Sequence, residues 1–187
     1  MYFPQDMTFQ YFFFDTYPGY FLQAVPIALI AGVIAFRSKR SQRVPASQAV
    51  CSALFVSYIT GLISLTVALY VMSDIWYFLL YHAPSGHHTS WFTFEFYLIP
   101  DFFRHFGSEA LGNILMYLPF GILYPLARRN RTWKQTVAAG VLTSLVIELV
   151  QPVFGRSFDL NDIILNTLGV LISAAAFHTL RLCLRKK

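Results

Sequence analysis

Long apolar segments alternate with short polar ones along most of this chain. Crossing a bilayer takes about 20 predominantly apolar residues, and five segments reach that length. They run from Gly19 to Phe36, Gln48 to Met72, Glu109 to Ala127, Gln135 to Gln151 and Leu160 to Leu182. The pattern predicts an all-α transmembrane helical bundle of about five spans. Because no linker or internal repeat divides residues 1–187, we expect a single domain.

The segment between spans two and three has a different character. From Ser73 to Ser108 it is rich in Phe, Tyr and Trp, and Pro84, Gly86 and Pro100 interrupt it. Aromatic side chains of this kind prefer the membrane–water interface. We therefore predict an aromatic interfacial segment here, and the first eighteen residues have a similar composition.

The composition supports a membrane protein. Apolar residues make up 56% of the chain and charged residues only 12%, whereas soluble domains carry about a quarter charged residues. The net charge of +5 comes from cations at the predicted span ends, where they can contact anionic lipid headgroups. We therefore expect membrane lipids, and no nucleic acid, as partners.

The basic residues also predict the orientation. Twelve of the fourteen Lys and Arg residues lie after span one, between spans three and four, or at the C-terminus. These three places fall on one side of a five-span topology, and the positive-inside rule makes that side cytoplasmic. The prediction is a multi-pass protein of the cell membrane with its N-terminus outside and its C-terminus in the cytoplasm.

Polar residues interrupt the last three spans near their outer ends. They are Asn113, Glu148, Gln151, Arg156, Asp159, Asp162 and Asn166. A charged side chain at mid-bilayer costs roughly 2.5–3.5 kcal/mol, so such residues are expected to pair, line a cavity or do chemistry. Spacings of three and four place Asp159, Asp162 and Asn166 on one helical face. The short connection that carries Arg156 makes spans four and five antiparallel neighbours, and we expect one polar cluster.

These motifs resemble those of VanZ-like membrane proteins. Residues 113–125 carry the pattern N-I-x-x-x-x-P-x-G-x-x-x-P, residues 144–151 carry S-x-x-I-E-x-x-Q, and residues 156–169 carry R-x-x-D-x-x-D-x-x-x-N-x-x-G. The signature region spans about residues 109–173. Two positions depart from the pattern: Asn161 stands where the family often has Asp, and an N-x-I-P-F element appears only as residues 97–101. The resemblance implies an association with glycopeptide resistance, in particular with teicoplanin, a lipid-tailed glycopeptide.

Three functions fit the polar cluster. The leading interpretation is an outward-facing pocket that binds an amphiphile or envelope lipid, such as a lipid-linked envelope precursor or a lipoglycopeptide, through Asn113, Gln151, Arg156 and Asn166. The alternative is an enzyme acting on a lipid-linked envelope substrate, with a general base among Glu148, Asp159 and Asp162 or with a divalent cation held by two of them. A third interpretation is a structural partner subunit, in which the cluster only joins two spans.

The sequence contains no recognised cofactor-binding motif. The chain has no nucleotide-binding loop and no heme-type cysteine pair, and the two cysteines, Cys51 and Cys183, have no zinc-site spacing. His82, His87, His88 and His105 lie in the aromatic segment, but no pair of them has the i, i+4 spacing of a helical metal site. A divalent cation remains the one cofactor that the polar cluster could accept, and the oligomeric state stays open.

Overall fold

A computed structural model describes residues 20–83, 91–104, 106–129 and 131–185. Five of its helices are long and apolar enough to cross a membrane, which confirms the prediction of an all-α bundle with five spans. The described helices are α1 Tyr20–Ser41, α2 Ala46–Thr66, α3 Leu69–Tyr81, α4 Ser108–Ala127, α5 Trp133–Val150 and α6 Leu160–Arg185. Two-residue strands, β1 Phe96–Tyr97 and β2 Phe158–Asp159, complete the described elements together with a 3₁₀ turn, Gln151–Phe154.

The second span is shorter than predicted. Its helix ends at Thr66, and α3 begins three residues later as an apolar helix of 13 residues, too short to cross the bilayer. Val67 and Ala68 interrupt the regular helix between them. Apolar composition alone could not show this break, because both sides of it are equally apolar.

Helices α4, α5 and α6 form the close-packed part of the bundle. Tyr117, Phe120, Ile147 and Val170 are buried in one apolar cluster that Leu62 and Val67 join. Gly169 makes this packing possible, because a Cβ atom there would meet the backbone carbonyl of Ile114 on α4. Small residues let helix backbones approach closely in membranes, where lipid gives no hydrophobic drive for association.

The chain reversals divide the bundle into two ends. The end of α2, the start of α4, the end of α5 and the start of α6 meet at one end, which we call the acidic end. The other end, the basic end, carries the turn between α1 and α2 and the turn between α4 and α5. There Thr132 caps α5: its hydroxyl accepts from the amide of Gln135, whose side chain accepts from the amide of Thr132.

Residues 91–104 form an extended segment along the acidic end, which we call the aromatic strap. Its strand β1 pairs in parallel with β2, with Phe96 opposite Phe158 and Tyr97 opposite Asp159. The amide of Phe158 donates to the carbonyl of Glu95 at 2.9 Å. The first nineteen residues, residues 84–90 and position 105 lie outside the described residues, so the predictions for His87, His88 and His105 do so too.

Candidate functional site

Three helices each present two polar side chains to one buried region at the acidic end. The members of each pair are four residues apart, which places them on one helical face. The pairs are Asn113 and Tyr117 on α4, Ser144 and Glu148 on α5, and Asp162 and Asn166 on α6. All six side chains are buried. The four-residue spacing in the sequence therefore becomes two polar layers inside an otherwise apolar bundle.

The outer layer joins α4 to α6 and fastens α5 to the strand that precedes α6. The side-chain amide of Asn113 donates to a carboxylate oxygen of Asp162, which links α4 to α6. Glu148 is 1% exposed, and its two carboxylate oxygens accept from the Gln151 side chain and from the backbone amide of Asp159, each at 3.2 Å. Glu148 therefore holds the chain that leads into α6.

The inner layer lies one turn deeper. The side-chain amide of Asn166 donates to the hydroxyl of Ser144 at 2.9 Å, which links α6 to α5. Tyr117 is fully buried beside Ser144, Glu148 and Asp162. Ser144 was not among the predicted site residues, although its position four residues before Glu148 could have suggested it.

Arg156 makes a contact that the sequence did not predict. One guanidinium nitrogen, Nη1, donates to the backbone carbonyl of Thr66 at 2.6 Å. Thr66 is the last residue of α2, where carbonyl groups lack helical partners and a cation is favoured by the helix dipole. Arg156 thereby ties the α5–α6 turn to the end of α2, and it forms no ion pair with a described carboxylate.

Asp159 lies outside the spanning helices, at the start of the cluster. Contrary to the prediction that it shares a helical face with Asp162 and Asn166, it belongs to β2, and α6 begins one residue later. Its carboxylate accepts from the backbone amide of Asn161 at 2.8 Å, as a residue preceding a helix commonly does. Burial raises the pKa of the Asp159 carboxyl, and nearby Asp162 and Asp101 act in the same direction against the lowering effect of that hydrogen bond.

A cavity of about 620 Å³ opens between the aromatic strap, α4 and the start of α6. Five carboxylates and two amides line it: Glu95, Asp101, Glu109, Asp159, Asp162, Asn113 and Asn161. None of its described lining residues is Lys, Arg or His. Among the predicted site residues, Asn113, Asp159 and Asp162 reach the cavity, whereas Glu148, Gln151, Arg156 and Asn166 support it from behind.

A match to a family model covers residues 24–181, most of the chain, and its description is VanZ/LLP1. This chain belongs to the VanZ/LLP1 family. No curated protein and no solved structure matches it. The family assignment confirms the resemblance that the three motifs suggested.

In this VanZ/LLP1 family member, the two departures from the family pattern lie in contact. The side chain of Asn161 donates to the carboxylate of Asp101 at 2.8 Å and accepts from the backbone amide of Asp101 at 3.0 Å. Asp101 ends the segment of residues 97–101, so this pair fastens the aromatic strap to the start of α6. Sequence reasoning noted both positions but could not connect them, because sixty residues separate them.

The described residues contain no group of three or more His, Cys, Asp or Glu side chains arranged to hold a metal ion. The five carboxylates in the cavity lining place negative charge along its wall, and a wall of one sign of charge attracts the opposite sign.

Proposed function

We propose that this VanZ/LLP1 family member binds an amphiphile at the outer leaflet and holds a positively charged group of it in the acidic cavity. The observation that carries this proposal is the cavity lining, which combines five carboxylates with no described cation. Tolerance of lipid-tailed glycopeptides such as teicoplanin would be the physiological output.

The walls of the cavity suit an amphiphile because they also contain apolar surface. Tyr97, Ile99 and Phe102 come from the aromatic strap, and Leu165 comes from α6. An apolar wall beside carboxylates can contact the first carbons of a tail while the acids neutralise the headgroup. Carboxylates that approach an ammonium group form charge-assisted hydrogen bonds, which are roughly twice as strong as neutral ones.

The outer placement rests on the charge asymmetry. The turns at the basic end carry eight Lys and Arg residues, at positions 37, 39, 40, 43, 128, 129, 131 and 134. The positive-inside rule assigns that end to the cytoplasm, so the cavity opens on the opposite side. The orientation is tested by replacing Arg129 and Arg156 in turn with cysteine and labelling intact cells with a reagent that does not cross the membrane. Labelling of position 129 from outside would contradict the orientation.

Arg156, Gln151, Glu148 and Asn166 take a positioning role in this proposal. Glu148 holds the amide of Asp159, and Asp159 lines the cavity. Arg156 is engaged with the Thr66 carbonyl behind the cavity wall. An anionic headgroup would have to compete with that contact and approach five carboxylates, so the cavity favours the cationic ligand.

The test compares probes of the same tail length and opposite charge. The protein in nanodiscs is titrated with dodecylammonium and with dodecyl sulfate, and binding is followed by the change in Tm. We expect dodecylammonium to stabilise the protein and Asp162→Asn to weaken its binding about tenfold or more, because a hydrogen bond to a charged group contributes about 1.5–3 kcal/mol. Equal stabilisation by both probes would contradict the proposal.

A matched control removes a carboxylate outside the cavity. Asp74 lies on α3 and is not part of the lining, so Asp74→Asn should leave probe binding unchanged. In cells, survival under teicoplanin should fall with Asp162→Asn and not with Asp74→Asn at equal membrane abundance. Full protection by Asp162→Asn at normal abundance would favour the structural interpretation, in which the cluster only joins helices.

One observation favours an enzyme as the second candidate. Asp159 faces the cavity, and burial raises its pKa, which brings a carboxyl closer to the range useful for a general base. An enzyme would lose turnover of a lipid-linked substrate in Asp159→Asn while retaining affinity for it. Loss of affinity with no turnover in either protein would leave binding as the function.

A further inference from the structure

The aromatic strap has two faces that alternate along the chain. Residues Glu95, Tyr97, Ile99 and Asp101 line the cavity. The intervening residues Phe94, Phe96 and Leu98 do not line it. All three are exposed, as are Tyr97 and Ile99 on the cavity face, and the Phe96 ring also packs on the ring of Phe158, with 5.7 Å between centroids. Successive side chains of an extended segment point to opposite sides, so this register gives one cavity face and one outer face.

The polarity of these faces is the reverse of that on a loop in water. An extended segment that covers a soluble protein places its apolar side chains inward and its polar side chains outward. Here both carboxylates, Glu95 and Asp101, belong to the cavity face, and the outer face from position 94 to position 98 consists of two Phe and one Leu. An outer face without a polar side chain fits hydrocarbon better than water.

The outer face is continuous with the apolar surface of a spanning helix. The amides of Phe92 and Thr93 donate to the carbonyls of Val153 and Pro152, at 3.3 and 2.9 Å, which fixes the start of the strap at the end of α5. Val153 and the preceding Leu149 are 37% and 57% exposed. Since α5 is long and apolar enough to cross a membrane, the strap extends the exposed apolar surface of this helix toward the cavity mouth.

We propose that the outer face of the aromatic strap, Phe94, Phe96 and Leu98, packs against lipid acyl chains, and that the strap is the wall through which the cavity loads from the bilayer. The second part rests on the function proposed above. A ligand with its headgroup in the cavity and its tail in lipid must pass this wall, because one face of the strap lines the cavity and the other contacts lipid.

Beyond the hydrogen bonds of Phe92 and Thr93 at its start, two attachments hold this wall in place. The first is the two-residue pairing of β1 with β2, and the second is the contact between Asn161 and Asp101. Asn161 also accepts from the amide of Phe102 at 3.4 Å, so a single side chain fastens the far end of the strap. Release of this one residue would let the wall move while β1 stays paired.

The test of lipid contact needs no ligand. In a background with Cys51→Ser and Cys183→Ser, spin labels are attached to Leu98→Cys, Phe94→Cys and, as a water-exposed control, Gln42→Cys in the turn between α1 and α2. Collision with molecular oxygen, which concentrates in lipid, is compared with collision with a water-soluble nickel complex in nanodiscs. We expect positions 94 and 98 to favour oxygen and position 42 to favour nickel.

The outcomes separate the possible neighbours of the outer face. Preference for nickel at positions 94 and 98 contradicts the proposal, because it places the face in water. Low collision with both reagents also contradicts it, because another protein surface would then cover the face. The pair of labels guards against a local effect of one substitution.

The loading wall is tested by Asn161→Ala. The label at position 98 should become more mobile in that variant, and dodecylammonium should both associate and dissociate faster. Unchanged mobility and unchanged rates would overturn the gating role. Absence of dodecylammonium binding to the unaltered protein would instead remove the proposed function and leave the lipid contact of the outer face standing.

Discussion

The α1–α2 pair and the α4–α5–α6 group both consist of apolar spanning helices, but their outermost and innermost members differ in how much of their surface is buried. In α1, 17% of the spanning window is buried, and Leu29, Ile30 and Ile34 are at least 60% exposed. In α4 the buried share is 39%, and its inward face carries Asn113 and Tyr117. Of the five spans, α1 is therefore the most peripheral and α4 the most enclosed, and α4 depends on polar partners from neighbouring helices along its inward face.

Glycines differ from position to position. At Gly169 a Cβ atom would strike the backbone of Ile114, which cannot move independently of α4. At Gly61 in α2, the nearest atom is the Cβ of Ala28 at 3.8 Å, an ordinary contact. Gly32 in α1 is intermediate, because a Cβ atom there would meet the Ser57 hydroxyl, which can rotate, and would lie 3.3 Å from the backbone carbonyl of Ala53. The backbone contact at Gly169 is therefore the least tolerant of these three positions.

The largest expected effect is that of Gly169→Ala. Forcing a methyl group into the α4–α6 contact should cost about 1–3 kcal/mol or more and greatly reduce the yield of folded protein. Thermal stability measured by fluorescence-detected size-exclusion chromatography in mild detergent provides the readout. Gly61→Ala and Gly112→Ala are matched controls with room for a Cβ, and they should be neutral or slightly stabilising. Equal stability of all three variants would show that the close approach does not exist.

The second effect concerns the buried polar pair. Asn113→Leu removes the donor that Asp162 uses, and an unsatisfied buried group costs about 1–3 kcal/mol, more when charged. We expect a marked drop in Tm, which a second change, Asp162→Leu, should partly restore by removing the stranded carboxylate. As a control, Ser52→Ala changes a buried polar residue of α2 and should alter Tm little. A double variant no more stable than Asn113→Leu would indicate that the pair is not coupled.

The third effect tests a contact that joins the two regions through a charged side chain, the hydrogen bond from Arg156 to Thr66. Arg156→Ala removes the donor from the end of α2 and should cost about 1 kcal/mol, within the range for charges at helix ends. Arg156→Lys should recover part of this, because a lysine keeps the charge without the planar guanidinium. Amide hydrogen exchange in the last turn of α2 gives the local readout. If amide exchange became faster throughout α4 and α6 but stayed unchanged at the end of α2, this role would be contradicted.

The smallest effect is the dependence of stability on pH at Asp159. Its folded-state pKa is raised, so the folded protein binds the proton more tightly than the unfolded chain does. The contribution to stability is therefore complete below the ordinary Asp pKa and is lost as pH rises through the raised value. The groups that face Asp159 are Asp162, Asp101, Glu148 and the amide of Asn161.

Tm measured from about pH 4 to about pH 7 follows the pH-dependent contribution of Asp159 to stability, since the unperturbed Asp pKa is about 3.9. Asp159→Asn should flatten the series relative to the unaltered protein, because the amide cannot titrate. Asp74→Asn provides the comparison with a carboxylate outside the cavity. An unchanged slope in Asp159→Asn would assign the pH dependence to the neighbouring acids.

Local pattern in the chain was enough to predict the spans, the helical class and the family. Length and apolar composition define a spanning helix within its own twenty residues, so the five spans could be read without knowing their neighbours. The same holds for the polar faces: the i, i+4 spacing of Asp162 and Asn166 places both on one side of α6 wherever that helix lies. Asn113 and Asp162 were named from the sequence and reach the cavity, and so does Asp159, although its predicted place on the helical face of α6 was wrong.

The partners of these residues depend on contacts between distant parts of the chain. Arg156 binds a carbonyl ninety residues away, and Asn161 binds Asp101 sixty residues away. Hydrogen bonds of this kind form only after helix packing has brought distant parts of the chain together. No periodicity in the sequence encodes which carbonyl or carboxylate will then be within reach. For the same reason the composition of the aromatic segment supports only the prediction that it lies at the interface, whereas its pairing with β2 and its place in the cavity wall depend on the folded bundle.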